Sequence, residues 1–127
     1  MPDRWQVELF LRHFKQAWLP ACITVDRDKN NQALADLGWT PYQRRDFVLA
    51  LTVEDYSEGP LDDHRDPRQQ VWIFGAKAGG REVYIKLALK EDSRVFRAKC
   101  LSFHAAEQGL VHPFAGPGGG GCGDAGR

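Results

Sequence analysis

The stretch "QVWIFGAKAGGREVYIKLALKEDSRVFRAKCLSFH", residues 70 to 104, decides the fold. It contains three runs rich in β-branched and aromatic residues: "QVWIFG" (70–75), "EVYIKLALK" (82–90) and "VFRAKCLSFH" (95–104). "AKAGGR" supplies the glycines of a hairpin connection, and "EDSR" makes a second tight one. Strands joined so briefly run antiparallel. Alternate side chains then share a face, so Val83, Ile85, Leu87 and Leu89 point one way and Glu82, Tyr84, Lys86 and Ala88 the other. Strict alternation in the last strand puts Leu101 and Phe103 on the buried face and Cys100, Ser102 and His104 on the free one. Lys99 falls on the inner face at the strand's edge, where its long stem can reach back to water.

Upstream the period lengthens to that of helices. "RWQVELFLRHFKQAWL" (4–19) spaces Trp5, Leu9, Phe10, Phe14, Ala17 and Trp18 as an amphipathic stripe, and Pro20 stops it. "KNNQALADLG" (29–38) reads as a short helix ended by Gly38 in a left-handed cap. "TPYQRRDFVLAL" (40–51) opens with Thr40 as N-cap and Pro41 at the first helical position. "TVEDYSEGPLDDHRDP" (52–67) is polar and turn-rich, and reads as a loop between helices and sheet. The expected class is α+β, with N-terminal helices packed on one face of a small antiparallel sheet. Residues 1–114 make a single domain. The glycine-rich end, 115–127, has too little to bury and is expected to be a flexible tail.

Composition bounds the function. A chain of 127 residues with four Trp, three Tyr and seven Phe can bury one core. Seventeen basic and seventeen acidic residues cancel, which argues against holding nucleic acid by bulk charge alone. The charge is nevertheless uneven. Asp46 to Asp66 holds seven acidic residues to one basic, whereas Lys77 to His104 holds seven basic to three acidic. Cys22, Cys100 and Cys122 lack paired spacing, and with no CxxC or His-rich cluster no metal or other cofactor is expected. The N-terminus lacks the basic-then-apolar run of a signal peptide and no stretch approaches spanning length. The expected location is a reduced, cytoplasmic compartment, away from membranes.

Tyr84, Lys86 and His104 on one sheet face, facing an acidic loop with Tyr56 and Glu58, make an acid–base set that needs no metal. Cleaving RNA this way requires a base for the 2′-hydroxyl, a cation for the phosphorane charge and an acid for the leaving 5′-oxygen. Glu58, Lys86 and His104 fill those roles, with Tyr84 positioning or stacking on a nucleotide. Against this stands the plainer reading, a solvated sheet face. Other constellations are weaker. Cys100 and His104 lie about 13 Å apart along a strand, too far for a thiol and its base. "ALADLGWTPYQRRDF" (33–47) mimics a helix-turn-helix, but its second helix offers only Gln43, Arg44 and Arg45 before turning apolar.

In the order "LTVEDYSEGPLDDH", "VWIFG", "EVYIKLAL" and "KCLSFHAAE", the chain resembles the MqsR family of type II toxin–antitoxin toxins over roughly residues 30 to 114. The resemblance implies a RelE-like fold and an endoribonuclease that cleaves single-stranded mRNA without metal in the bacterial cytoplasm, neutralised by a cognate antitoxin protein. It matches Tyr84 to the family's strand tyrosine, and the glutamine that precedes the family's first strand to Gln69 or Gln70. The family's acidic-loop lysine has no match here, Glu58 standing near it, and His104 replaces its terminal-strand lysine. The RNA-contact candidates are Tyr56, Gln69, Gln70, Arg81 and Lys99. The alternative is a module that kept the fold and lost the chemistry.

Overall fold

The computed structural model of the chain describes residues 1–115; the part of the expected tail from 116 to 127 lies outside the described residues. Helices α1 (Arg4–Trp18), α2 (Asp28–Leu37) and α3 (Pro41–Leu49) precede strands β1 (Tyr56–Asp62), β2 (Gln69–Ala78), β3 (Arg81–Asp92) and β4 (Val95–Ala105). The strands form one antiparallel sheet in the order β1-β2-β3-β4, and the α+β class is as expected. No helix among the described residues is long and apolar enough to cross a membrane.

Two turns of the same kind build the sheet. Gly79 and Gly80 have φ of 59° and 80°, Ser93 and Arg94 of 50° and 71°. Positive φ at both central residues defines the hairpin turn whose twist matches that of paired strands. Consequently "AKAGGR" is mostly strand, with pairing up to Ala78↔Arg81, and the second turn closes at Asp92↔Val95. The helix ends follow their residues too. Gly38 caps α2 at φ 69°, and the Thr40 hydroxyl accepts from the Gln43 amide at the start of α3.

Residues 52–67 depart from the expected loop. Val53–Asp55 is a single 3-10 turn and Tyr56–Asp62 is β1, at the sheet's edge. Pro60 reads as a strand breaker but is tolerated there because an edge strand need not donate every amide. Gly59, at φ 122°, lies so close to β2 that a Cβ would stand 2.9 Å from the Val71 carbonyl oxygen.

All three helices cover one face of the sheet. Val7, Phe10, Leu11, Phe14 and Trp18 of α1 pack with Trp72, Phe74, Ile85, Leu87 and Phe103. Phe10 stacks on Trp72 at 4.5 Å between ring centroids. The buried stripe of α1 is therefore rotated from the expected one, taking in Val7 and Leu11 and leaving Trp5 59% and Leu9 38% exposed.

β4 corrects the expected alternation. Lys86 pairs with Ser102, but Leu87 pairs with Cys100, so Leu101 is an extra, bulged residue. On the hairpin side of the bulge every side chain changes face. Cys100 enters the main core, fully buried, while Leu101 joins Val71, Ala88 and Val25 on the opposite face. Lys99, expected inside, emerges outside opposite Ala88. The edge is held there by groups remote in sequence. Cys100 exchanges backbone hydrogen bonds of 2.9 Å with Ile23 and Val25. The buried Asn30 amide donates to the Val25 and Leu101 carbonyls at 2.9 and 3.1 Å, and its oxygen accepts from the Phe103 amide at 2.9 Å.

Asn30→Ala strips three backbone groups of their partners and should lower stability by about 3 kcal/mol, read from urea unfolding. Asn30→Asp keeps the acceptor but loses both donations, and is expected to be at least as damaging. In the opposite direction, replacing Ser93-Arg94 by Asn-Gly relieves positive φ at two ordinary residues. It should raise stability by about 1 kcal/mol in the same assay.

Candidate functional site

The face without helices carries the candidate chemistry. β3 projects Tyr84 and Lys86 from it, and β4 sets His104 opposite Tyr84 and Ser102 opposite Lys86. The Tyr84 and His104 rings stack, 5.2 Å between centroids and 17° between planes. Nδ1 of His104 lies 3.1 Å from the Ala105 carbonyl oxygen. A carbonyl only accepts, so Nδ1 carries the proton and Nε2 is left for another partner. Burial, and then the Glu58 charge, push the Tyr84 phenol up, so it stays a protonated donor at neutral pH.

Lys86 stands between Ile73 and Ser102 and makes no salt bridge among the described residues. Its stem is partly buried, and its charge helps to lower the pKa of Asp63. Glu58 arrives from β1, paired with Ile73, because a register shift after Tyr56 turns it to this face. Three strand spacings, about 14 Å, separate the backbones of Glu58 and His104. Tyr84 and Lys86 fill the interval, so the two end groups stand apart on either side of them.

Next to Lys86 the face opens into a cleft of about 460 Å³, lined by Arg27, Asp63, His64, Gln69 and Lys99 among others. The loop between β1 and β2 forms its rim. There the Asp63 carboxylate accepts from the Arg65 amide at 2.9 Å and from Gln69 Nε2 at 2.7 Å. Asp66 accepts from Lys90 at 2.9 Å and from the Arg68 amide at 3.1 Å. Hydrogen bonds hold both carboxyls below their ordinary range.

Three of the five expected RNA contacts, Tyr56, Gln70 and Arg81, leave the open face, and Gln69 and Lys99 stay on it. Tyr56 is buried, its ring edge-on to Trp72 and Phe74 and its hydroxyl donating to the Gly59 carbonyl, because it pairs with Phe74 on the helix-covered side. Gln70 likewise looks toward α1, lining a groove with Trp5 and Gln6. Gln69, paired with Lys90, is the glutamine of the open face. Arg81 lines a hollow beside Asp36 and Leu37 of α2, on the helix side. Lys99 does reach the open face, through the bulge. Cys100 does not: its thiol donates to the Ser102 carbonyl at 3.4 Å, and burial pushes it up to about 12.

Sequence reasoning missed three contributors. His64 was visible as a histidine in an acidic turn. Arg27 comes near only because residues 23–25 run beside β4. The third is the segment after β4, which folds back over the open face. Its Leu110 lies on Gly75, so closely that a Cβ there would collide with it. The Leu110 amide and His112 Nε2 meet the Glu82 carboxylate at 3.1 and 2.6 Å. Gly75 is paired with Tyr84, so this segment walls one side of the Tyr84–His104 pair.

The lowered pKa of Asp63, held down by the Arg65 amide and the Gln69 side chain, predicts a pH response. Its stabilisation is fully present above the ordinary carboxylate pKa and fades as pH falls through the lower folded value. Asp63→Asn should therefore unfold at a lower urea concentration than wild type at pH 7. The difference should shrink progressively as pH falls through and below the ordinary carboxylate range.

Comparison of the chain with protein-family models, curated proteins and solved structures found no match.

Proposed function

We propose that the open sheet face binds single-stranded RNA and cleaves it without a metal, and that the protein acts as an mRNA-interferase toxin neutralised by an antitoxin. The carrying observation is the stacked Tyr84–His104 pair beside Lys86, a cation free of salt bridges among the described residues, on a face no helix covers. The four blocks that resemble the MqsR family include these residues and support the same reading. In this scheme the Glu58 carboxylate takes the 2′-hydroxyl proton and the 2′-oxygen attacks the phosphorus. The Lys86 ammonium and Tyr84 hydroxyl meet the charge that develops on the phosphorane oxygens. Protonated His104 gives its Nε2 proton to the departing 5′-oxygen, leaving a 2′,3′-cyclic phosphate and a 5′-hydroxyl. Gln69, Lys99 and Arg27 lie along the path of the adjoining strand.

A second reading, a binding module without chemistry, is favoured by one feature. Asp62 and Asp63 rim the cleft beside Lys86 and weaken its pull on a polyanion.

End-group analysis of cleaved RNA separates the two. His104→Ala should lower the cleavage rate at least 100-fold and Lys86→Ala comparably, with unchanged melting temperature because neither side chain fills the core. Lys86→Arg should retain part of the activity. Cleavage should survive EDTA and fail where the 2′-oxygen is methylated. A 5′-phosphate on the downstream fragment would refute the scheme, and no cleavage of any RNA by the wild type would favour the binding module.

A further inference from the structure

On the helix side, Arg44 of α3 has Nη1 buried without a hydrogen-bond partner among the described residues. Its neighbour Arg45 pairs with Asp46 at 2.9 Å, but Arg44 joins no salt bridge there. The residue as a whole is half-buried, but a donor nitrogen shielded from water without a partner carries a desolvation cost that a bound acceptor would relieve. The position of Arg44 aggravates this. The first turn of α3, just before Arg44, contains no acidic residue to answer its charge. The adjacent Cys100 thiol offers no counter-charge, since burial keeps it protonated.

Arg44 lines a hollow of about 430 Å³ between the end of α1 and the start of α3, with Thr24, Pro41, Tyr42 and Arg45. That volume exceeds the needs of a bare anion and falls among pockets that take small organic ligands, about 300–1,000 Å³. Tyr42 is 70% exposed and has the Arg45 guanidinium 5.3 Å from its ring centroid, giving a flat wall on which a base can stack. We infer that this hollow binds a phosphate-bearing nucleotide, Arg44 taking the phosphate in its planar fork and Tyr42 the base. The site shares no residue with the open sheet face, so it stands or falls separately from the ribonuclease reading.

The full-length protein is melted in inorganic phosphate, adenosine, adenosine 5′-monophosphate, and a short oligoribonucleotide with a 5′-phosphate or a 5′-hydroxyl, at ionic strength matched with chloride. Phosphate and the mononucleotide should raise Tm, by about 4 °C at ten times Kd, while adenosine should not. The oligonucleotide pair distinguishes an RNA end from a free nucleotide as the source: equal effects of its two forms assign the site to the free nucleotide. Arg44→Met should abolish the shift while melting, without ligand, no lower than wild type. No phosphate-specific shift, or an equal shift in Arg44→Met, overturns the inference. Should Arg44→Met fail to fold, amide shifts of Thr24 and Arg44 in the wild type decide, and their indifference to the mononucleotide overturns it equally.

Discussion

The side chain of Asn30 does what a neighbouring strand would otherwise do. It meets Val25, Leu101 and Phe103 at once, saturating the β4 edge where the Leu101 bulge disrupts the ladder. A bulge left unpinned is free to slip, and a one-residue slip exchanges the two faces of a strand. Here that would exchange Cys100 with Lys99, placing an ammonium among the aromatic residues under α1. Asn30 is itself almost completely buried, so its amide has no water to fall back on. The register of β4, and with it the composition of both sheet faces, depends on this one side chain.

The open face inherits a particular electrostatic character from that register. The bulge delivers Lys99 beside Lys86, and the register shift in β1 delivers Glu58 to the far side of Ile73. Asp66 is taken up by Lys90, and Asp63 by Gln69 and the Arg65 amide, which leaves Lys86 without a salt bridge among the described residues. The face is thus neither uniformly basic nor merely wet. It holds a donor pair, a cation and a carboxylate in a row, bounded by the segment that returns after β4.

What could be read from the sequence was whatever local chemistry determines. The glycine pair at 79–80, the Gly38 cap and the Thr40-Pro41 start act within a few residues, and each stands where expected. Tyr84, Lys86 and His104 share a face because all lie on the same side of the bulge, where alternation holds. Lys99, Cys100 and Leu101 lie at or beyond it. No residue type marks that bulge, which is set by Asn30, some seventy positions earlier. β1 escaped for a different reason. Pro60 and Gly59 are turn residues by composition, and only an edge position makes them compatible with a strand. Tyr56 followed from that error, since a loop tyrosine would be exposed whereas the first residue of this strand faces Phe74.

Stability rests on one face of the sheet. Phe103, Ile85 and Leu87 are completely buried under the helices, and burying each such side chain is worth about 1.5–3 kcal/mol. Their neighbours along the same strands, His104, Tyr84 and Lys86, are half exposed and support no helix. Residues on the open face can therefore be chosen for proton affinity and charge without weakening the core. Covering both faces with helices would have made a more stable sheet and left no place for a ligand. The open face buries Ile73 and a small apolar group of Val71, Ala88, Leu101 and Val25, and that group lies at the mouth of the cleft rather than under the Tyr84–His104 pair. A fold that rests on one face of its sheet keeps the other available, and the stacked pair with its neighbouring lysine is what this sequence has put there.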